Sequence, residues 1–369
     1  MIQHQESQES LQLEVYSKKY LLPSIEILFR SNNKIGYWDS LNSRITSKLV
    51  HDSDWNWRVS DDQSDRYGLF CLSMLLIANI NFDLSLSKYT PQIKKYLAYI
   101  SENIRNFTSS DINYGGFNSL VLAHILDFQK SEKEIIYCLE RIKNEITQIN
   151  NNEDSLIIIG ISTYLKYINP SDKDTKKYLQ NIVKYLLNSQ NSKGMFETGD
   201  IRYLYHQRTM YTLWGLIFAS LIFEHMEIRA SVEKTINYVW KNMRDKKDDA
   251  FYWHPPLYFA KSSLGVRFPM ISLRSSYYLY ECHQSFFANT IKLHHHFFGD
   301  DTFSAYRQRS VDWIFGSNRL RTNLVERTGL NIPARIMKTN GELFVRNQNF
   351  KGSYELGNFI LQLSGNEGL

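Results

Sequence analysis

Apolar residues in this chain gather into six stretches too uniformly hydrophobic to lie on a surface. They are residues 68–80 (GLFCLSMLLIANI), 117–128 (FNSLVLAHILDF), 155–165 (SLIIIGISTYL), 209–216 inside YLYHQRTMYTLWGL, 285–291 inside YLYECHQSFFANTI, and 350–363. A helix that is apolar all round is a buried helix. Between these stretches, residues 11–29, 91–107, 132–149, 173–188, 232–243 and 303–315 carry one apolar stripe and one charged face, the pattern of a helix half in water. Six amphipathic helices therefore alternate with six buried ones. The packing that hides every second helix is a double ring, so the pattern predicts an all-α fold, an (α/α)6 toroid with buried helices inside and amphipathic ones outside. It predicts one domain over residues 1–369, with 1–8 as a flexible lead-in.

In such a ring alternate helices point the same way, so all inner helices begin at one end. Each buried stretch opens on polar or aromatic residues: Asp65-Arg66-Tyr67, Tyr114-Gly115-Gly116, Asn152-Glu153-Asp154, Tyr205-His206-Gln207-Arg208, Tyr280-Glu281-Cys282-His283-Gln284 and Arg346-Asn347-Gln348. The toroid predicts that these starts converge on one funnel. The connections leading into inner helices are also the long ones, as expected of a ring with one functional end. Residues 31–64 hold Trp38, Trp55 and Trp57 among many acids. Residues 245–277, stiffened by Pro255-Pro256, alternate enough for a short hairpin or a lid. Asn340-Gly341 reads as a two-residue hairpin turn. Gly115-Gly116 reads as a site of tight packing. Pro23 predicts a break or kink in the first outer helix near Leu22.

Composition narrows the partners. A net charge of +5, with basic and acidic residues interspersed, excludes a strong nucleic-acid footprint and leaves room for an anionic small substrate. The 24 tyrosines suit either a wet, sugar-sized cavity or the packing of long helices. Cys71, Cys138 and Cys282 fall inside helices without CxxC spacing and read as reduced core thiols. There is no apolar signal core at the start and no apolar run approaching the roughly 20 residues of a membrane span, so a soluble, cytoplasmic protein is expected. His294-His295-His296 point in different directions on a helix and do not converge as metal ligands. Walker, GxGxxG, GxSxG and HExxH patterns are missing from the sequence. The expectation is no metal, no cofactor and no nucleic acid, with a small-molecule or oligosaccharide substrate.

Inner-helix starts present unpaired N–H groups and a positive dipole end, which favour a bound carboxylate or sulfate. Arg66, Arg208, Arg274 and Arg346 lie near these starts and form a candidate anion clamp, because a guanidinium fork matches a carboxylate. For proton transfer the candidates are His206 and His283, with Tyr205 and Tyr280 beside them and Glu281 next in line; imidazole titrates near neutrality. Gln207, Gln284 and Gln348 are candidate hydrogen-bonding partners, and Trp38, Trp55, Trp57 and Trp253 candidate platforms. The densest acid group is Asp52, Asp54, Asp61, Asp62 and Asp65, with Asp54 a candidate catalytic carboxylate and Asp65 a helix cap. Glycoside cleavage requires two carboxyl groups, roughly 5 Å apart for retention or roughly 6.5 to 9.5 Å for inversion. Glu281, Glu326 or Glu355 would supply the second.

Residues 312–318 (DWIFGSN), followed by Arg346-Asn347-Gln348 and a last apolar helix, resemble the closing helices of six-hairpin, glycosidase-like (α/α)6 proteins, which often carry a W-x-x-G-x-N turn. That resemblance implies a saccharide in the funnel, handled by a hydrolase, a lyase or an epimerase. The DAGD-type acid motif of the best-known hydrolases of this fold is missing. Proton abstraction beside a sugar carboxylate would use His206 or His283 as base, Tyr205 or Tyr280 as acid, and Arg208 or Arg274 as clamp. Residues 186–196 (LLNSQNSKGMF) are similar to the L-x-x-Q-x-x-D-G-x-[FW] repeat of terpene cyclases and prenyltransferase β-type subunits, with Lys193 in place of the acid. Isoprenoid chemistry is the alternative reading, and a non-catalytic carbohydrate-binding or scaffold ring the third.

Overall fold

The computed structural model describes residues 2–60, 64–149, 152–197, 206–252, 257–261, 267–271, 281–339, 342–345 and 349–365. In chain order the long helices are α1 (Ile2–Phe29), α2 (Arg66–Phe82), α3 (Thr90–Asn103), α4 (Phe117–Ile125), α5 (Glu132–Glu145), α6 (Ile157–Tyr167), α7 (Lys173–Ser189), α8 (His206–Ala219), α9 (His225–Asn242), α10 (Glu281–Phe298), α11 (Ser304–Ile314) and α12 (Ser353–Leu363). Even-numbered helices are the buried ones. In α2 every residue from Gly68 to Ala78 is buried, whereas α5 buries only Ile135, Cys138, Leu139 and Ile142, the one-stripe spacing of an outer helix. Each inner helix packs on the next, α2 on α4, α4 on α6, α6 on α8, α8 on α10, α10 on α12, and α12 returns to α2. The chain has the expected (α/α)6 toroid architecture.

Polar ties join neighbouring inner helices within this apolar ring. Asn118 donates to the Leu156 carbonyl (3.0 Å) and accepts from the Gly160 N–H (2.9 Å), bridging α4 to α6. The Trp214 indole donates to the Thr290 hydroxyl at 2.8 Å, joining α8 to α10. The Asn289 amide donates to the Asn358 side chain at 2.6 Å, joining α10 to α12. Each bond satisfies a group whose burial alone would cost about 1–3 kcal/mol, and each fixes the sliding of one helix against the next.

Strands occur on the connections into inner helices. They are β1 (Trp38–Asp39), β2 (Arg44–Ile45), β3 (Lys48–His51), β4 (Trp57–Val59), β5 (Arg244–Asp245), β6 (Ala250–Phe251), β7 (Leu257–Lys261), β8 (Arg267–Ile271), β9 (Ile336–Thr339), β10 (Glu342–Val345) and β11 (Asn349–Gly352). β3 pairs antiparallel with β4 on one side and with β11 on the other, so the first long loop and the last are laced together at the seam of the ring. β7 and β8 form the expected hairpin. Thr339 faces Glu342 in the β9–β10 pair, the register a two-residue turn gives; Asn340 and Gly341 themselves lie outside the described residues.

At Pro23 the break does not occur, and α1 continues through it from Ile2 to Phe29. Proline forfeits a single backbone bond, and burial of Tyr20, Leu21, Ile25, Ile27 and Leu28 around it outweighs that loss. Gly115 is a packing glycine, because a Cβ there would stand 2.5 Å from the backbone of Leu69 and Phe70. Gly115→Ala should therefore destabilise the protein by about 1–3 kcal/mol, the usual cost of overpacking, read as a lower urea midpoint at unchanged m-value.

Candidate active site at the inner-helix starts

Three separate stretches supply one charged cluster at the mouth. Arg66 opens α2, Glu153 and Asp154 lie in the 3-10 turn Asn152–Leu156 that leads into α6, and Arg208 sits in the first turn of α8. The Arg66 guanidinium donates to the Glu153 carboxylate at 2.5 Å, and the Arg208 Nε lies 3.2 Å from the other Glu153 oxygen. Two guanidinium groups carried by helices far apart in sequence thus meet on one carboxylate. Arg66 also lies over the Tyr114 ring, 4.3 Å from its centre, a cation–π contact that holds it in place. The Tyr114 and Tyr211 hydroxyls are 2.5 Å apart, and the Gln207 amide donates to both.

Asp154 is the group with the most unusual chemistry. It receives a hydrogen bond from the Asn113 amide at 3.2 Å and faces a cleft of about 490 Å³ whose walls include Ser109, Asn113, Tyr114, Glu145 and Glu153. Burial, with the adjacent Glu153 charge, raises its pKa to about 6 against the opposing pull of the Asn113 bond and the two arginines. A carboxyl group in that range holds its proton in a sizeable fraction of molecules near neutrality and can both give and take one. Sequence reasoning missed Asn113, Tyr114, Glu153 and Asp154 as site residues. The available signal was the acid pair at a helix start already assigned to the funnel.

The histidines form a second group. His206 and His283, from α8 and α10, have ring centres 5.0 Å apart and are both buried. Neither ring nitrogen of His206 has a hydrogen-bond partner among the described residues, and the ring packs against Phe251 at 4.7 Å. Burial, then the neighbouring His283, pushes the His206 pKa well below its ordinary value, so it is a neutral imidazole. The two glutamines of the rhyming runs part company: Gln207 joins the tyrosine pair, while Gln284 donates to the Asp249 carbonyl at 3.2 Å.

A third group surrounds the start of α12. Glu355 is buried and accepts from Arg335 at 2.6 Å, with Lys351 at 3.6 Å. Burial would raise its pKa, and the charges of Arg335 and Lys351 overcome that and lower it. Tyr354 meets Tyr67 at 4.6 Å, and Lys48 lies over the same Tyr67 ring at 5.4 Å.

The tryptophan loop is built as wall. Trp38 is buried against Phe29. Trp55 stacks on His51 at 4.3 Å, and the Trp57 indole donates to the Thr328 carbonyl at 3.1 Å. Asp54 is exposed, its N–H bonded to the Asp52 carboxylate in the β3–β4 turn. Asp65 occupies a cap position, yet its side chain makes no cap bond; it instead receives hydrogen bonds from Arg44 and Tyr99 at 2.8 and 2.9 Å. The histidine triplet reaches three different neighbours: buried His294 faces Glu233, His295 pairs with Asp301, and His296 meets Phe82. Tyr205, Trp253, Arg274, Tyr280, Arg346 and Gln348, with Asp61 and Asp62, lie outside the described residues. Glu281 is the first residue of α10, and its side chain lies outside them too.

Ring, lacing and mouth together define an (α/α)6 toroid. No family model matches the chain and no curated protein matches its sequence. Solved structures share the fold at low identity. An unsaturated glucuronyl hydrolase from Bacillus sp. GL1, responsible for degradation of glycosaminoglycan, superposes with a TM-score of 0.58 and 11% identity over 95% of this chain and 96% of that one. A glycoside hydrolase from family 105 of C. acetobutylicum gives 0.57 and 10%, over 95% and 100%. A polysaccharide lyase gives 0.54 and 10%, over 80% and 88%.

The Asp154 shift has a consequence for stability. Its folded pKa of about 6 exceeds the ordinary 3.8, so the native state binds this proton more tightly than the unfolded chain. The resulting stabilisation is present below pH 4 and is lost as pH rises through 6. Asp154→Asn should accordingly be more stable than the parent at pH 7.5, by at most about 3 kcal/mol, with a flatter dependence of Tm on pH between 4 and 6.

Proposed function

We propose that this chain is a carbohydrate-active enzyme acting on an acidic saccharide at the mouth where the inner helices start, with Asp154 as the proton donor. The observation that carries this is the Asp154 carboxyl group, poised near neutrality beside a cleft and next to a carboxylate gripped by two arginines. Arg66 and Arg208 supply the positive field that a uronic carboxylate would seek. Tyr114 and Tyr211, linked through their hydroxyls, offer the polar-tipped aromatic surface on which sugar rings rest. Neighbours of the same fold are named for hydrolysis of unsaturated glucuronyl groups, which supports an acidic sugar as substrate class.

In this reading Asp154 protonates the departing or unsaturated end of the sugar and, once ionised, accepts a proton from the attacking water, so the group is regenerated within one turnover. Hydrolysis is favoured over elimination because a group titrating near 6 serves both half-steps. Lyase or epimerase chemistry is the second reading, with His206, a buried imidazole whose nitrogens have no partner among the described residues, as the candidate base. A cytoplasmic location is part of the proposal; among the described residues no helix is long and apolar enough to cross a membrane.

An assay on unsaturated uronyl disaccharides and on saturated uronic oligosaccharides separates the readings, following reducing sugar and the conjugated double bond. Asp154→Asn should lower kcat at least about a hundredfold, the size of a lost general acid, with KM nearly unchanged. Arg208→Lys should act mainly on KM for the charged substrate. Full turnover by Asp154→Asn together with loss in His206→Gln would transfer the role to the histidine and the reaction to elimination or epimerisation.

A further inference from the structure

The opposite end of the ring, where the inner helices finish, holds a second cavity of about 250 Å³. Its walls include Asn81 at the end of α2, Thr163 and Tyr167 of α6, Phe218 of α8, Ser220 just beyond it, and Phe297 of α10. The polar side chains among these already donate inward. The Asn81 amide donates to the Ile77 carbonyl at 3.0 Å, the Thr163 hydroxyl to Ile159 at 2.6 Å, and the Ser220 hydroxyl to Ile217 at 2.5 Å. With both hydroxyl protons and one amide proton engaged, these groups turn chiefly oxygen lone pairs to the cavity. Helix C-termini add the negative end of each macrodipole, although the carbonyls of Ile217, Phe218 and Ala219 at the end of α8 are already engaged by backbone N–H groups.

We propose that this cavity binds a small organic cation of the alkylammonium class. Acceptor oxygens, negative helix ends and the faces of Tyr167, Phe218 and Phe297 are the surroundings that a weakly hydrated cation prefers. The ring already solves the same problem once from within. Lys292 of α10 carries its buried ammonium to the end of α12, donates to the carbonyls of Leu361, at 2.7 Å, and Ser364, at 2.5 Å, and lies 3.8 Å from the centre of the Phe82 ring. One helix end thus takes an internal ammonium, and the cavity offers like chemistry to one from solution. Among the described residues no carboxylate lines it, which disfavours a hydrated divalent ion. His296, also on the wall, has its pKa lowered by burial and then by Lys292; the fixed charge near the wall is that of Lys292, which its own carbonyl partners engage.

Titration calorimetry of the full chain with tetramethylammonium chloride tests this, with tert-butanol as the neutral analogue of similar shape and sodium chloride at matched ionic strength. The expected result is saturable binding of the cation, at least tenfold tighter than tert-butanol. Tyr167→Ala, at a residue 55% exposed and therefore tolerant of truncation, should weaken it about fivefold, the scale of one cation–π contact. Asp154→Asn, at the other end of the ring, should leave it unchanged. Lack of saturable binding, equal affinity for tert-butanol, full affinity in Tyr167→Ala, or weakening by Asp154→Asn would each overturn the assignment.

Discussion

Return of α12 to α2 is the contact on which everything else depends. It is made at backbone distance: a Cβ on Gly357 would stand 2.8 Å from the Cys71 sulfur and 2.9 Å from its Cα. No larger residue fits there without parting the two helices. Pairing of β11 with β3 and the bond from the Ser17 hydroxyl to the Leu363 carbonyl at 2.7 Å hold the same seam from outside. An open stack of hairpins would spread its helix starts along a curve. A closed ring instead sets Arg66 and Arg208 around the Glu153 carboxylate, although the chain between them is long.

Closure also explains why neighbouring acids at the mouth have different surroundings. Glu153 is gripped by Arg66 and Arg208; Asp154, one residue on, lines the cleft and accepts from the Asn113 amide. Burial raises the Asp154 pKa to about 6. The histidine pair shows the same principle with opposite sign: burial that raises a carboxyl pKa lowers that of an imidazole. Asp154 and His206 are therefore both moved toward their neutral forms.

Periodicity carried the architecture almost completely. Twelve amphipathic or apolar segments became twelve helices because burial of a continuous apolar face leaves the chain few alternatives. Partnership was far less legible. Trp38, Trp55 and Trp57 meet Phe29, His51 and the Thr328 carbonyl, partners supplied by packing and in one case from the far end of the chain. The matching histidine–glutamine pairs led Gln207 and Gln284 to be read alike, yet their partners come from different loops. Asp154 was overlooked for a related reason: local sequence gives a carboxylate its helix position, while its pKa comes from burial and from charges brought in by other hairpins.

A ring of parallel inner helices has an electrical direction. N–H groups and positive dipole ends collect at one face and carbonyls with negative ends at the other, so the two faces suit ligands of opposite charge before any side chain is chosen. At the first face the side chains reinforce the field, with Arg66 over Tyr114, Lys48 over Tyr67 and Arg208 beside Glu153. At the second, engaged hydroxyls and the helix-capping ammonium of Lys292 show carbonyls seeking positive charge. The acidic sugar proposed for one face and the alkylammonium proposed for the other both follow from a single constraint, the common direction that closure imposes on six helices.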